Sequence, residues 1–327
     1  MVRLFSGANP LNLLFLFFLG IVLRLNTFTD PVIPTALVSD GWMYKEILLL
    51  LYPLGKKFPI LYPILTYLLI FIQAVILNGF TNEKRVYNGL NLLTAFSVIF
   101  LTALIPAWSS WSSVIVVNTF LVWIWPKMTN LYYSEKVKTD VFNAGLVIGV
   151  CSFLYFPSLF LFPLILIALL ITRPFKLAEW VVSFTGLLLP FYFFFVFQYF
   201  FNNQFQPNAI FTEIQWQSPA GYLSKKYEWI HFVLLLIPAL AGIIYNRISI
   251  TRMVVLNRKI WALNSFLLLL CLLVIFLNGK NGSSLPILFI PSVFYVASFY
   301  AFPKTKVFPE LTVWIGIGWI FIRQFFS

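Results

Sequence analysis

Apolar runs long enough to cross a hydrocarbon slab recur from one end of this chain to the other, and that recurrence limits the fold more than any motif does. A spanning helix needs roughly 20 mostly apolar residues. Reading the runs between polar breaks gives about eleven such stretches, centred near residues 18, 68, 98, 118, 148, 165, 189, 237, 268, 292 and 317. Only 10% of the 327 residues are charged and 61% are hydrophobic. A soluble domain carries about a quarter charged residues, so no aqueous core fits this much apolar surface. The expected fold class is all-α: a polytopic helical membrane protein forming one integral membrane domain over residues 1–327. The run from Pro10 to Leu25 has no small-residue cleavage site after it, so it reads as a permanent span rather than a signal peptide.

A formal charge of +12 would point to nucleic acid in a soluble protein, but here the question is where the Lys and Arg sit along the spans. With a cytoplasmic N-terminus, alternate connections collect fourteen of the 22 basic residues, including every dense cluster, of which Arg247, Arg252, Arg258 and Lys259 form the largest. The charge rule therefore expects the N-terminus in the cytoplasm and the C-terminus in the periplasm, in a bacterial inner membrane, with lipids rather than nucleic acid as partner. Between Val141 and Ile171 the sequence Tyr155-Phe156-Pro157 and Pro163 divide one long apolar stretch. Two short helices are expected there, because a single merged span would place the Arg247–Lys259 cluster outside.

Two exported segments are long enough to be more than turns, 26–58 and 201–227, and together they are expected to make one face. The first holds Asp30 and then Ser39-Asp40-Gly41-Trp42-Met43-Tyr44, where Ser39 is expected to cap an amphipathic helix at the interface. The second holds Trp216, Tyr222, Lys225 and Lys226. The spans are almost free of ionisable residues, which argues against an ion-coupled carrier, although Gln73, Asn91 and Asn264 offer neutral polar groups inside them. Phosphate loops, dinucleotide fingerprints and zinc-protease helices are missing, and the single His231 at the start of an apolar run reads as a packing residue. Cys151 and Cys271 both lie in apolar runs, which leaves no material for a disulfide framework or a cysteine metal site.

The order of these features resembles the GT-C class of membrane glycosyltransferases. The resemblance rests on a first span ending in Arg24, an outer loop with an early acid before an Asp-x-x-x-Tyr helix, and many short spans. It is carried further by Asp140-Val141-Phe142-Asn143-Ala144-Gly145-Leu146-Val147-Ile148-Gly149 leading to Tyr155-Phe156-Pro157-Ser158, and by Arg173-Pro174-Phe175 with Glu179-Trp180. It covers roughly residues 10 to 200 and consists chiefly of Gly and Pro spacing. The same stretch also resembles an uncharacterised bacterial family of multi-pass inner-membrane proteins of unknown function. The GT-C resemblance implies a GT-C-like arrangement and transfer of a sugar from a polyprenyl-phosphate donor at the outer leaflet, with no cofactor except a divalent metal in the transferase case. Asp40 would be the loop acid that activates the acceptor or holds that metal, and Asp30 its alternative. Arg24, Lys225 and Lys226 would meet the donor phosphate, and Trp42, Tyr44, Trp216 and Tyr222 would line the sugar or prenyl group. The family's second acid is here Gly41, which weakens the catalytic reading.

Two other readings use the same residues differently. Gly145 and Gly149 form a small-xxx-small face that explains itself by helix packing. A non-enzymatic membrane subunit of an envelope assembly, secretion or motility complex, with protein partners, needs no catalytic carboxylate. A flippase for a lipid-linked precursor is the third reading.

Overall fold

The computed structural model describes residues 1–87, 89–202, 228–277, 284–303 and 305–326, and their regular structure is helical throughout, with no strand among them. In chain order the helices are α1 (Val2–Phe5), α2 (Pro10–Val22), α3 (Leu25–Thr29), α4 (Trp42–Lys57), α5 (Leu61–Glu83), α6 (Leu93–Leu104) and α7 (Ser113–Thr129). There follow α8 (Val137–Leu154), α9 (Pro163–Thr172), α10 (Leu177–Asn202), α11 (Glu228–Ser249), α12 (Val255–Leu277), α13 (Phe289–Ala301) and α14 (Val307–Phe326). Each of the eleven expected centres falls inside one of them. Among the described residues six, namely α5, α7, α8, α10, α11 and α12, are long and apolar enough to cross a membrane, while α2, α6, α9 and α13 belong to shorter apolar helical stretches.

Local chemistry accounts for the breaks. Asn9 caps α2, its side chain accepting from the Leu11 N–H, and Pro10 occupies the first turn where its missing N–H costs nothing. Ser112 caps α7 in the same way through the Ile115 N–H. At Tyr155 the backbone turns extended (φ −146°), Pro157 then sits in a short 3-10 turn, and Pro163 opens α9. The two helices expected there are thus separate, but only α9 is short, since α8 begins at Val137 and reaches 18 residues. The chain reverses between them, because Arg173 after α9 donates to the carbonyls of Leu131 (3.4 Å) and Ser134 (3.1 Å), just before α8 begins.

The centre of the bundle is α6 and α13. All 12 residues of α6 are buried, and so is α13 from Phe289 to Tyr300. Phe96 of α6 packs edge-on against Tyr300 at 5.7 Å, and the Tyr87 hydroxyl donates to the Phe294 carbonyl at 2.9 Å. The neutral polar residues of the spans tie helices together rather than stand free. Gln73 donates to Thr119 Oγ1 at 2.6 Å and to the Ile115 carbonyl at 3.2 Å, and Asn264 to the Pro291 carbonyl at 3.4 Å. Asn91 lies in a knot with Asn78 and Asn82. By contrast α10 and α11 turn Leu188, Tyr192, Phe193, Leu240 and Ile244 outward. Such a surface is an aggregation hazard in water and an ordinary one against acyl chains.

Helix ends gather at two poles. At one, Arg3 meets Glu310 at 3.5 Å, Asn257 donates to the Arg85 carbonyl, and Lys259 to that of Thr172. At the other, Gly41 N–H donates to the Leu154 carbonyl, Arg323 to that of Leu104, and Gln324 to that of Leu23. The first pole holds the basic clusters and the second holds the site described next.

Candidate functional site

The segment between α3 and α4 folds into the second pole instead of projecting from it. Gly41 is the residue before α4, with extended backbone and its N–H on the Leu154 carbonyl at 2.9 Å. Asp40 and Tyr155 form an isolated antiparallel bridge there. The contact needs a glycine, since a Cβ on Gly41 would lie 2.1 Å from the Phe153 carbonyl oxygen, a backbone atom that cannot rotate away. Gly41→Ala is therefore expected to destabilise the protein by about 1–3 kcal/mol, read as a lowered thermal midpoint in detergent; an unchanged midpoint would mean that the loop docks elsewhere.

Asp40 is buried, at 3% exposure, and both its carboxylate oxygens are engaged. Oδ1 accepts from the Ser113 hydroxyl in the first turn of α7, and Oδ2 from the Leu37 N–H at 2.8 Å. Burial pushes its carboxyl above the usual range, against the opposing pull of those two hydrogen bonds and of the Lys45 charge. The expected Ser39 cap is absent: α4 has no side-chain cap, and Asp40 uses its own side chain on the turn before it. A carboxylate that closes its own turn competes well with a cap two residues away.

Around Asp40 the remaining residues take different places. Tyr44 is buried, its phenol pushed up by desolvation, by the Asp40 charge and by Tyr62. Trp42 is 39% exposed and meets Phe194 edge-on at 5.2 Å. Phe194 in turn lies 5.2 Å from Phe153, and with Phe156 and Phe191 these rings form a second, separate apolar cluster. Asp30 is exposed and lines a cleft of about 90 Å³ with Thr27, Tyr62, Ser109, Ser110 and Trp111. Trp216, Tyr222, Lys225 and Lys226, with most of the 201–227 segment, lie outside the described residues.

Arg24 is 3% exposed and faces no acid among the described residues. Its guanidinium donates to the carbonyls of Gly20 (2.9 Å) and Ile99 (3.0 Å) and to the Thr102 hydroxyl, and it lies 5.3 Å from the centre of the Tyr67 ring. Sequence reasoning missed its counterpart, Arg323, which donates to the carbonyls of Leu104 (3.2 Å) and Ala103 (3.4 Å). The two cations thus sit on the C-terminal turns of α6. A helix that ends inside the bundle leaves carbonyls that water cannot reach, and its negative dipole end favours positive charge. The one available signal for Arg323 was a single Arg in the last turn of an otherwise apolar helix. His231 is buried beside Trp319 and Arg323, in a packing position.

Chemically, this pole offers a buried carboxyl of raised basicity, an aromatic wall and a small acidic cleft. Among the described residues no group of three or more His, Cys, Asp or Glu is placed to hold a metal ion. Cys151 and Cys271 are buried free thiols. Compared with known proteins, the chain matches no family model, no curated protein and no solved structure.

Proposed function

We propose that this chain is a polytopic inner-membrane protein of GT-C-like arrangement, with about eleven crossings, a cytoplasmic N-terminus and a periplasmic C-terminus. At its outer end it receives a polyprenyl-phosphate-linked sugar. The orientation is supported by the basic clusters converging on one pole, which the charge rule assigns to the cytoplasm. The observation that carries the activity is Asp40 itself, a carboxyl pushed towards higher basicity by burial, two residues before Trp42, whose ring meets Phe194.

In the reaction this supports, the acceptor hydroxyl gives its proton to the Asp40 carboxylate while the acceptor oxygen forms a bond to the anomeric carbon. The bond from that carbon to the phosphate oxygen breaks, and polyprenyl phosphate leaves with the electron pair. Each Asp40 oxygen keeps one lone pair beyond its present hydrogen bond, so the carboxylate can still accept that proton. Trp42 and Phe194 suit a sugar face or a prenyl chain. A divalent metal, if used, would draw on Asp40 or Asp30 together with the donor phosphate.

A second reading is favoured by the same residue. Both Asp40 oxygens already help to hold the loop, and the cleft at Asp30, about 90 Å³, is small against the 300–1,000 Å³ of ordinary ligand sites. That suits a membrane subunit of an envelope complex. Proteoliposomes carrying a photoreactive polyprenyl phosphate separate the two. The transferase reading expects saturable labelling of α4 or α10 near Trp42, and an Asp40→Asn variant that is still labelled but transfers no sugar from a panel of polyprenyl-phosphate sugars. Labelling that does not saturate, in a chain that purifies with a stoichiometric partner, would replace it with the subunit reading.

A further inference from the structure

A second cleft lies at the opposite, basic pole and takes no part in the reading above. It measures about 470 Å³ and is lined by Arg85, Ser249, Arg252 and Asn257, with Ile248 and Val254 among its apolar residues. Arg85 alone among the described non-glycine residues has a positive φ, +48°, in the left-handed region that strains an L residue. Its carbonyl accepts from the Asn257 side chain at 3.0 Å, which fixes the turn after α5 against the start of α12. Its neighbours are already neutralised, since Lys84 pairs with Glu83 at 2.8 Å.

Charge and polarity then define the ligand. Among the described residues neither Arg85 nor Arg252 makes an ion pair, and between Trp229 and Pro309 the sequence contains no Asp or Glu at all. A counter-anion must come from outside this stretch of the chain. On the same rim Ile248 and Val254 are 67% and 68% exposed, at the level where α11 ends and α12 begins. We propose that this cleft binds the head group of an anionic phospholipid, with the phosphate between the two guanidiniums and the acyl chains leaving over Ile248 and Val254. Guanidinium forks match phosphate oxygens in pairs, and a free phosphate would leave the apolar rim unused. The site depends on the membrane reading and not on the transferase reading.

The test is lipid binding to the purified full chain, by native mass spectrometry and by thermal shift, with phosphatidylglycerol, phosphatidylcholine and glycerol phosphate as probes. Phosphatidylglycerol should bind with a stoichiometry near one and raise the thermal midpoint. Arg85→Gly, which suits the left-handed turn and so preserves the fold, and Arg252→Gln should each weaken that binding by about tenfold. Arg258→Gln, an exposed arginine at the same pole that does not line the cleft, should change it by less than about twofold. Equal losses in Arg258→Gln would reduce the effect to general surface charge, and equal binding of phosphatidylcholine would remove the anion requirement. Glycerol phosphate binding as tightly as the lipid would make this a soluble-phosphate site; each of these results overturns the proposal.

Discussion

Gly186→Leu is expected to cost about 3 kcal/mol and leave little monodisperse protein after extraction, because it forces apart α8 and α10, whose backbones approach closely along a seam of glycines. A Cβ at Gly186 would lie 2.3 Å from the Phe142 carbonyl oxygen; one at Gly145 would lie 2.4 Å from that of Ser183, and one at Gly149 2.7 Å from that of Leu187. All three meet backbone, so relief requires whole-helix movement of α8 away from α10. Helix α10 has little else to hold it, since most of its apolar length is exposed. In hydrocarbon a parted helix gains no aqueous penalty to drive it back, and close van der Waals packing is the attraction that is lost. Gly318→Leu is the control, with nothing within 4 Å of the added carbon and a better helix former in place of glycine. Its thermal midpoint should stay near that of the parent; equal behaviour of the two variants would contradict the seam.

That seam was legible beforehand, since Gly145 and Gly149 stand four apart in an apolar run, and so was the division at Tyr155-Phe156-Pro157, because proline chemistry is local. The positions of the helices were legible for the same reason: a run of apolar residues carries its own length. What each helix packs against was not. Every residue of α6 is buried, so its sequence has no polar face to show which way it turns, and nothing local marks it as the centre of the bundle. The arginines near its end come from residues 24 and 323, and the carbonyls they bind belong to residues 99, 103 and 104. Such pairings span the whole chain and leave no periodic trace. Asp40 was singled out from its place after the first span, but its bonds to Ser113 and Leu37 were not, and the expected Ser39 cap gave way to the acid beside it.

Asp40→Ala should destabilise the protein by about 2–4 kcal/mol at neutral pH, since it leaves the Leu37 N–H and the Ser113 hydroxyl buried without a partner. Asp40→Asn should cost much less. Its Oδ1 still accepts from Leu37, and its amide N–H donates to the Ser113 oxygen, which can accept where it formerly donated. The two variants also differ from the parent in pH dependence. Burial raises the Asp40 carboxyl in the folded state, so the fold binds that proton more tightly than the unfolded chain does. Its contribution is greatest below the ordinary aspartate value of about 3.9 and is lost as pH rises through the higher folded value. Asp40→Asn has no such proton, so its thermal midpoint should improve relative to the parent across that interval and then run parallel. Parallel midpoints throughout would mean that the carboxyl is not raised, and equal losses in Asn and Ala would mean that the hydrogen bonds do not hold the loop. Paired with sugar transfer, the series also separates the roles of the residue: an Asn variant that is stable but inactive assigns the proton to catalysis, whereas one that is stable and fully active leaves Asp40 as the tie between the 30–41 segment and the bundle.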